Sequence, residues 1–366
     1  MSVQFFVPPK LTKLAVVGYG YWGQKLVGAA QTLGAEVAVV DRKMMVLSSP
    51  LILKTWAAVL KDPEIRGIII ATPEKTHASL AIAALQAGKA VLIEKPATTK
   101  TSDWKILMKL AAKNHLPLMV DYTFLSSRAF EVWQNWQTEA APQLGKWRSL
   151  TAVRHSSLSV EKIADKEIPI WWDMAIHDFY LLRSLNLHCQ NYQRLDQQVL
   201  AHASKLKITT TAKNPVVAMI NSRVKFQTQL WPQLQSAQIP TTAPNSSIKF
   251  VADYSWTATT PVRSWRAEFD HGELIWERVS TAISTATGQT GIGQIKPSQE
   301  KIELRVKNQS PRCLFCSDTQ PSPLETLLKT WASSADWSQL RWQKYWAEIT
   351  IDMENLEQLD KAMMRF

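Results

Sequence analysis

Apolar residues cluster in five short runs along the first 120 positions, at 14–17, 36–40, 67–71, 90–93 and 117–120. Between them, apolar residues recur every three to four positions: beyond residue 20 as far as about 33, and over 51–61, 76–87 and 101–114. The short runs read as buried strands and the longer stretches as helices packed on them. Strands that lack polar alternation, each followed by a helix, predict a doubly wound parallel sheet covered on both faces. Gly88 follows the last apolar position of the third helix, where a C-terminal cap belongs. Thr101 or Ser102 can cap the start of the fourth.

After Asp121 the pattern changes. Helical spacing covers 127–138 and 172–187, and a strand is expected over 147–154. Beyond Gln190 strands dominate. The clearest, 247–256, alternates Ile248, Phe250, Ala252 and Tyr254 with polar residues, the period of a half-buried strand. Strands at 262–269, 272–279 and 301–306 follow, and His271-Gly272 supplies a hairpin-type turn between two of them. Helical spacing returns over 323–333 and 352–364. The chain is thus expected to be α/β, with one domain over 1–122 and an α+β domain, dominated by a single sheet, over 123–366. The polar, proline-bearing stretch 205–245 fits either an insertion or irregular edge strands.

Composition adds limits. The chain has 366 residues, more than one typical core, with 46% apolar and 20% charged residues. No apolar run reaches the ~18 residues of a membrane span. The first ten residues carry a Phe-Phe-Val run broken by Pro8 and Pro9, with no small-residue cleavage site after it, so a cytoplasmic chain is expected. Net charge is +11. Basic residues are scattered among acidic ones rather than massed in a block, which fits anionic small molecules better than nucleic acid. Three cysteines argue against a disulfide framework, and Cys313 and Cys316 read as two reduced thiols. Thirteen of the sixteen tryptophans lie after residue 125. Trp256, Trp265 and Trp276 fall on expected strands, where they fit equally a core or a self-association face.

The chemistry begins at Gly18-Tyr-Gly20-Tyr21-Trp22-Gly23, a glycine-rich loop between an expected strand and an expected helix. In that context the first glycine permits the tight turn, the second lets a pyrophosphate approach the backbone, and the third lets helix and strand pack. The helix N-terminus then offers free N–H groups to phosphate. Asp41 ends the second strand, near the spacing for the acid that accepts from an adenosine ribose 2′-OH, which favours NAD. Arg42 and Lys43 follow and offset its charge, which leaves NADP open. Ala71, Thr72 and Pro73, with His77 behind them, end the third strand. Glu94, Lys95 and Pro96 end the fourth. Ligands of an open α/β sheet lie over those carboxyl ends. A lysine there can stabilise charge developing on a substrate oxygen. Asp173 and His177 stand four residues apart on one helix face, an acid beside an imidazole suited to proton transfer. Asp178 points away from them and is a weaker catalytic candidate.

Together, residues 68–77, the run to Pro96 and Asp173-Met-Ala-Ile-His177-Asp178 resemble the Gfo/Idh/MocA family, that of glucose-fructose oxidoreductase and inositol dehydrogenase. The resemblance covers about 13–187 and becomes faint afterwards, although 247–277 still looks like the family's second sheet. It implies an N-terminal NAD(P)-binding Rossmann domain and a C-terminal domain with a large open, mainly antiparallel sheet. It also implies catalysis by Lys95, Asp173 and His177 without a metal. The glycine loop, Asp121-Tyr-Thr-Phe-Leu125 and 172–178 look most like the branch acting on nucleotide-linked sugars. The expectation is therefore hydride exchange between a nicotinamide and a secondary hydroxyl of a sugar, nucleotide-sugar or cyclitol, in a homo-oligomer (dimer or tetramer) assembled through the C-terminal sheet. Two other readings stay open: a lyase or glycosidase that oxidises its sugar transiently, and a non-catalytic NAD-binding protein.

Overall fold

A computed structural model describes residues 13–42, 52–139, 141–159, 162–163, 166, 168–195, 223–232, 247–279, 299–316 and 322–364. It divides into two compact units, Met1–Ser127 with Pro321–Glu357, and Arg128–Gln320 with Gln358–Phe366. The first break falls five residues beyond the expected boundary at 122. The second falls after Gln320 and the third inside the last helix, so Pro321–Glu357, which chain order alone would leave with the second domain, groups with the first.

The first unit is built on six parallel strands: β1 (Lys13–Val17), β2 (Glu36–Val40), β3 (Ile52–Leu53), β4 (Gly67–Ile70), β5 (Ala90–Ile93) and β6 (Leu118–Val120). Their order is β3-β2-β1-β4-β5-β6, the doubly wound order, with every pairing parallel. Connecting helices are α1 (Tyr21–Thr32), α2 (Trp56–Lys61), α3 (His77–Gln86) and α4 (Thr101–Asn114). Leu14–Val16 and Ile68–Ile70 are almost completely buried, which is why these runs are continuous rather than alternating. One expected helix is split. Ile52 and Leu53 pair with β2 as a short edge strand, and the helix begins only at Trp56, where the Thr55 side chain accepts from the Ala58 amide. Gly88 takes positive φ after α3, as a C-terminal cap requires. At α4 the expected cap is replaced. Neither Thr101 nor Ser102 caps it, and the Thr101 amide donates instead to Glu357 (2.8 Å).

That contact explains the grouping of the C-terminal segment. The helices α8 (Pro323–Ser333) and, as far as Glu357, α9 (Gln339–Met363) belong to the first unit. β6 is the last strand of its sheet, so its outer N–H and C=O groups need partners. The Tyr345 hydroxyl accepts from Val120 N (3.0 Å), and Trp346 Nε1 donates to the Leu118 carbonyl (2.9 Å).

The second unit holds α5 (Arg128–Glu139), α6 (Ala141–Leu144), α7 (Ile170–Ser184) and an eight-stranded sheet in the order β14-β13-β12-β11-β7-β10-β9-β8. The strands are β7 (Trp147–Ser157), β8 (Leu187–Arg194), β9 (Arg223–Pro232), β10 (Ile248–Ser255), β11 (Thr257–Phe269), β12 (Gly272–Val279), β13 (Gln299–Val306) and β14 (Arg312–Cys316). Only β7 and β10 pair in parallel. β9 lies inside the undecided stretch 205–245. The remainder of that stretch, like Lys43, lies outside the described residues.

Ile248, Phe250, Ala252 and Tyr254 all turn into the core, as their alternation predicts. Trp256, Trp265 and Trp276 are buried too, and Trp265 and Trp276 meet Trp133 of α5 edge-on or tilted. These three tryptophans fill a core and form no exposed patch. The other face of the sheet is polar, with exposed Lys249, Arg266 and Glu268 and a His155–Asp253 contact (3.2 Å). Cys313 and Cys316, expected as reduced thiols, are paired as a disulfide. A register shift in β14 sets Glu303 opposite Cys313 and Ile302 opposite Phe315, and this extra residue lets side chains three apart share a face.

Candidate active site

In the first unit the site is a row of backbone atoms at the carboxyl ends of the strands. Beyond each strand the next residue still bonds to its neighbour. Gly18 N donates to Val40 O (2.8 Å), Ala71 N to Val17 O (2.8 Å), Glu94 N to Ile70 O (2.9 Å) and Asp121 N to Ile93 O (2.8 Å). The ladder thus continues one step past the strands and sets Gly18, Ala71, Glu94 and Asp121 along one edge.

The glycine loop at this edge depends on its glycines. Gly18 has φ +93°, and a Cβ there would lie 2.5 Å from Ala71 O. A Cβ on Gly23 would lie 2.0 Å from Gly18 O. At Gly20, the N-cap of α1, a Cβ would meet nothing within 4 Å, so this position opens onto unfilled space. No side chain caps α1 and no acidic residue stands in its first turn. A bare helix N-terminus beside open space fits the pyrophosphate of a dinucleotide.

Around the loop, Asp41 Oδ2 accepts from Tyr19 N (2.7 Å), which fixes the acid beside the turn. Arg42 is exposed. Tyr21 is exposed as well, with the Lys25 ammonium over its ring at 4.5 Å. Trp22 donates through Nε1 to Asp121 Oδ2 (2.9 Å), which ties the glycine loop to the end of β6.

His77 is buried, not a surface residue of its helix. Its Nδ1 lies 3.0 Å from Pro96 O and its Nε2 2.8 Å from Thr72 O. The ring therefore joins the Thr72-Pro73 turn to the Lys95-Pro96 turn. Burial pushes the imidazole below its ordinary value, against the pull of those two carbonyls. Thr76 closes the first turn by donating to Thr72 Oγ1 and Pro73 O, both at 2.7 Å.

Glu94 Oε2 accepts from Lys95 N (3.1 Å). Burial holds the Asp121 carboxyl above the usual range and Glu94 well above it, the Asp121 charge adding to the effect on Glu94. Asp121 was legible in the sequence, since it ends β6 as Glu94 follows β5, but its side-chain role needed the fold.

The second unit carries the acid–imidazole pair on α7. Asp173 Oδ2 accepts from Lys166 Nζ (2.9 Å) and Trp256 Nε1 (3.2 Å). His177 Nδ1 lies 3.0 Å from the Tyr180 hydroxyl. Asp178, one residue on, faces the core with no exposure. Its Oδ1 accepts from Arg154 Nε (2.9 Å) and Nη2 (2.5 Å) and from Trp265 Nε1 (2.7 Å), while its Oδ2 accepts from the Tyr254 hydroxyl. Burial and then the Asp178 charge keep the Tyr254 phenol protonated, as the donor in that bond. Asp178 therefore clamps α7 to the sheet and leaves Asp173 and His177 on another face. Lys166 stands in an irregular stretch, and no periodicity could have singled it out.

Residues 12–122 match the family described as "Oxidoreductase family, NAD-binding Rossmann fold", GFO_IDH_MocA. This domain belongs to the Gfo/Idh/MocA oxidoreductases. Among curated relatives, levoglucosan dehydrogenase from Pseudarthrobacter phenanthrenivorans is 28% identical over 117 residues, 32% of this chain and 28% of the relative. A dTDP-3,4-didehydro-2,6-dideoxy-alpha-D-glucose 3-reductase from Saccharopolyspora spinosa is 35% identical over 98 residues, 27% of this chain and 29% of the relative. The chain thus aligns with under a third of the length of these relatives. At the level of fold the likeness is longer. KijD10, a 3-ketoreductase from Actinomadura kijaniata solved with NADP and TDP-benzene, superposes with a TM-score of 0.69 at 14% identity, over 96% of this chain and 97% of KijD10. UDP-N-acetylglucosamine 3-dehydrogenase GnnA from Acidithiobacillus ferrooxidans gives 0.64 at 16% identity with the same coverage. Both units therefore have counterparts among solved folds.

Proposed function

We propose that the chain is an NAD(P)-dependent oxidoreductase acting on a secondary hydroxyl of a sugar, nucleotide-sugar or cyclitol. The observation that carries this reading is the extended ladder, which puts the glycine loop, the Thr72 turn and Lys95 on one sheet edge in the order a dinucleotide with its reactive end near a lysine requires. The family of the first domain supports it, and so do the sugars for which the levoglucosan and dTDP-sugar relatives are named.

When bound, the nicotinamide exchanges a hydride with the carbinol carbon, which becomes a carbonyl in the oxidative direction. His177 takes the hydroxyl proton through its imidazole. Lys95 donates to that oxygen and stabilises the charge that builds on it. Asp173, fixed by Lys166 and Trp256, orients the proton acceptor or a neighbouring hydroxyl. Asp41 at the end of β2 supports NAD as the preferred dinucleotide, because its carboxylate would repel a 2′-phosphate. Comparison of NADH and NADPH affinities by fluorescence titration tests that preference. Self-association through the second sheet belongs to the same reading and is measured by sedimentation velocity.

Turnover on a panel of nucleotide sugars and cyclitols tests the assignment. Lys95→Ala is expected to lower kcat by about 10²–10³ while dinucleotide binding persists. Wild-type turnover in that variant would end the assignment of Lys95.

A further inference from the structure

Helix α7 is enclosed on nearly every side. From Ile170 to Leu182 each residue is buried except His177, which is half-buried, so the helix opens outward at the imidazole. Three residues on, close to the same face of the helix, stands Tyr180, with no exposure. Its hydroxyl lies 3.0 Å from His177 Nδ1, and the two rings meet edge-on, with centroids 5.8 Å apart and planes at 77°. One nitrogen of the half-exposed ring is therefore engaged by a group of the interior. The helix that carries both residues is itself clamped, through Asp178, to Arg154, Tyr254 and Trp265. Asp173, which the spacing also offers as an orienting group, accepts at Oδ2 from Lys166 Nζ and Trp256 Nε1.

The bond between His177 and Tyr180 can run in two directions, because a neutral imidazole has one donor and one acceptor nitrogen and a phenol can donate or accept. If the tyrosine donates, the ring carries its proton on Nε2 and its acceptor nitrogen is filled. Such a ring has no lone pair to offer a substrate hydroxyl. If the ring donates, its proton sits on Nδ1 and Nε2 is the basic nitrogen. Proton transfer by His177 requires the second arrangement.

We propose that Tyr180 is a positioning residue for the reaction: its hydroxyl accepts from His177 Nδ1–H, fixes the tautomer and orientation of the ring, and reserves Nε2 for the substrate proton. The inference deepens the proposed function and rests on its reading of His177 as the proton acceptor. In the oxidative direction the substrate O–H bond breaks as the Nε2–H bond forms, while the carbinol carbon gives its hydride to the dinucleotide. The ring then carries a proton on each nitrogen and one positive charge, and the Tyr180 oxygen stabilises the charged ring through a charge-assisted bond. In the reductive direction the same proton returns from Nε2 to the substrate oxygen. Nδ1 keeps its own proton throughout, so the bond to Tyr180 survives the whole cycle without rearrangement. Asp173 then takes the other of its two roles, holding a neighbouring hydroxyl.

Tyr180 acts through His177, so the decisive readout is the state of the ring. The full chain is labelled with ¹⁵N-histidine, and two-bond ¹H–¹⁵N correlation spectra are recorded at about pH 8, where an ordinary imidazole is neutral. The His177 signals are identified by their loss in His177→Gln. They are expected to show a protonated Nδ1 and an unprotonated Nε2. In Tyr180→Phe, which keeps the ring and removes the acceptor, the signals should move toward the Nε2–H form. On the substrate found by the sugar panel, kcat of that variant should fall about ten- to hundredfold, with NADH affinity by fluorescence titration unchanged. A native His177 with its proton on Nε2 would overturn the proposal, and so would a Tyr180→Phe variant that keeps either the native tautomer or the native kcat. If that variant fails to fold, the native spectrum still decides which nitrogen holds the proton. No turnover on any sugar, together with the Nδ1–H form and its change in Tyr180→Phe, would sink the dehydrogenase reading and leave the Tyr180–His177 bond standing.

Discussion

A histidine in the first turn of a helix ordinarily faces water and titrates near neutrality. His77 is instead enclosed, with its two nitrogens within 3.0 Å of carbonyls of two different turns, to one of which the neutral ring donates. The consequence is a pH dependence with a definite sign. The folded-state value is depressed below the ordinary 6.5, so below that pH the unfolded chain takes up a proton that the folded chain resists. Stability tied to this group is present above about 6.5 and is lost as pH falls toward and through the folded value. His77→Gln removes that slope. The stability difference between native and variant, followed by urea denaturation, is expected to narrow from about pH 7 to about pH 5. A glycine gives the second test at this scale. Alanine at Gly23 would press its Cβ against Gly18 O, a backbone atom with no room to yield. Gly23→Ala is expected to cost about 1–3 kcal/mol and to weaken dinucleotide binding more than tenfold, read by fluorescence titration.

Helix α7 contains three acids or bases that sequence spacing separates only by face. The spacing correctly puts Asp178 apart from Asp173 and His177, but it does not say which face enters the core. Arg154, Tyr254 and Trp265 come from three different strands, and their convergence on Asp178 decides the matter. Asp178→Ala leaves the Arg154 guanidinium buried without its carboxylate, which is expected to cost about 3–5 kcal/mol in chemical denaturation. Asp173→Ala touches a pair in which Lys166 is partly solvated, so its stability cost should stay under about 2 kcal/mol while turnover is lost. The split between 52–53 and 56–61 shows another limit of spacing. Both halves are apolar, and only the vacant edge of β2 makes the first half a strand.

Over the whole chain, the segment after residue 320 belongs with residues far from it in sequence. Glu357, Tyr345 and Trp346 supply the groups that α4 and the outer edge of β6 lack. A chain ended at Gln320 would leave Leu118 O and Val120 N without these partners. It is expected to aggregate or to lose the unfolding transition of the first unit, as seen by calorimetry and sedimentation. Tyr345→Phe alone removes the hydroxyl that meets Val120 N and Val120 O and should cost about 1 kcal/mol. Nothing in the local pattern of 321–357 predicts this grouping, because an amphipathic helix carries no label for the surface it covers.

Periodicity and local chemistry, both written along the chain, determined five of the six parallel strands, the glycine turn, the lysine at the end of β5 and the acid–imidazole helix. Strand burial imposes continuous apolar runs, and a tight turn at positive φ imposes glycine, so these features are carried by neighbouring residues. The tertiary structure alone decided that Trp22 reaches Asp121, that His77 spans two turns, and that Asp178 is a clamp. Each of those is a contact between distant positions. It arises from the register of strands and the burial of charge, which no single stretch of sequence encodes.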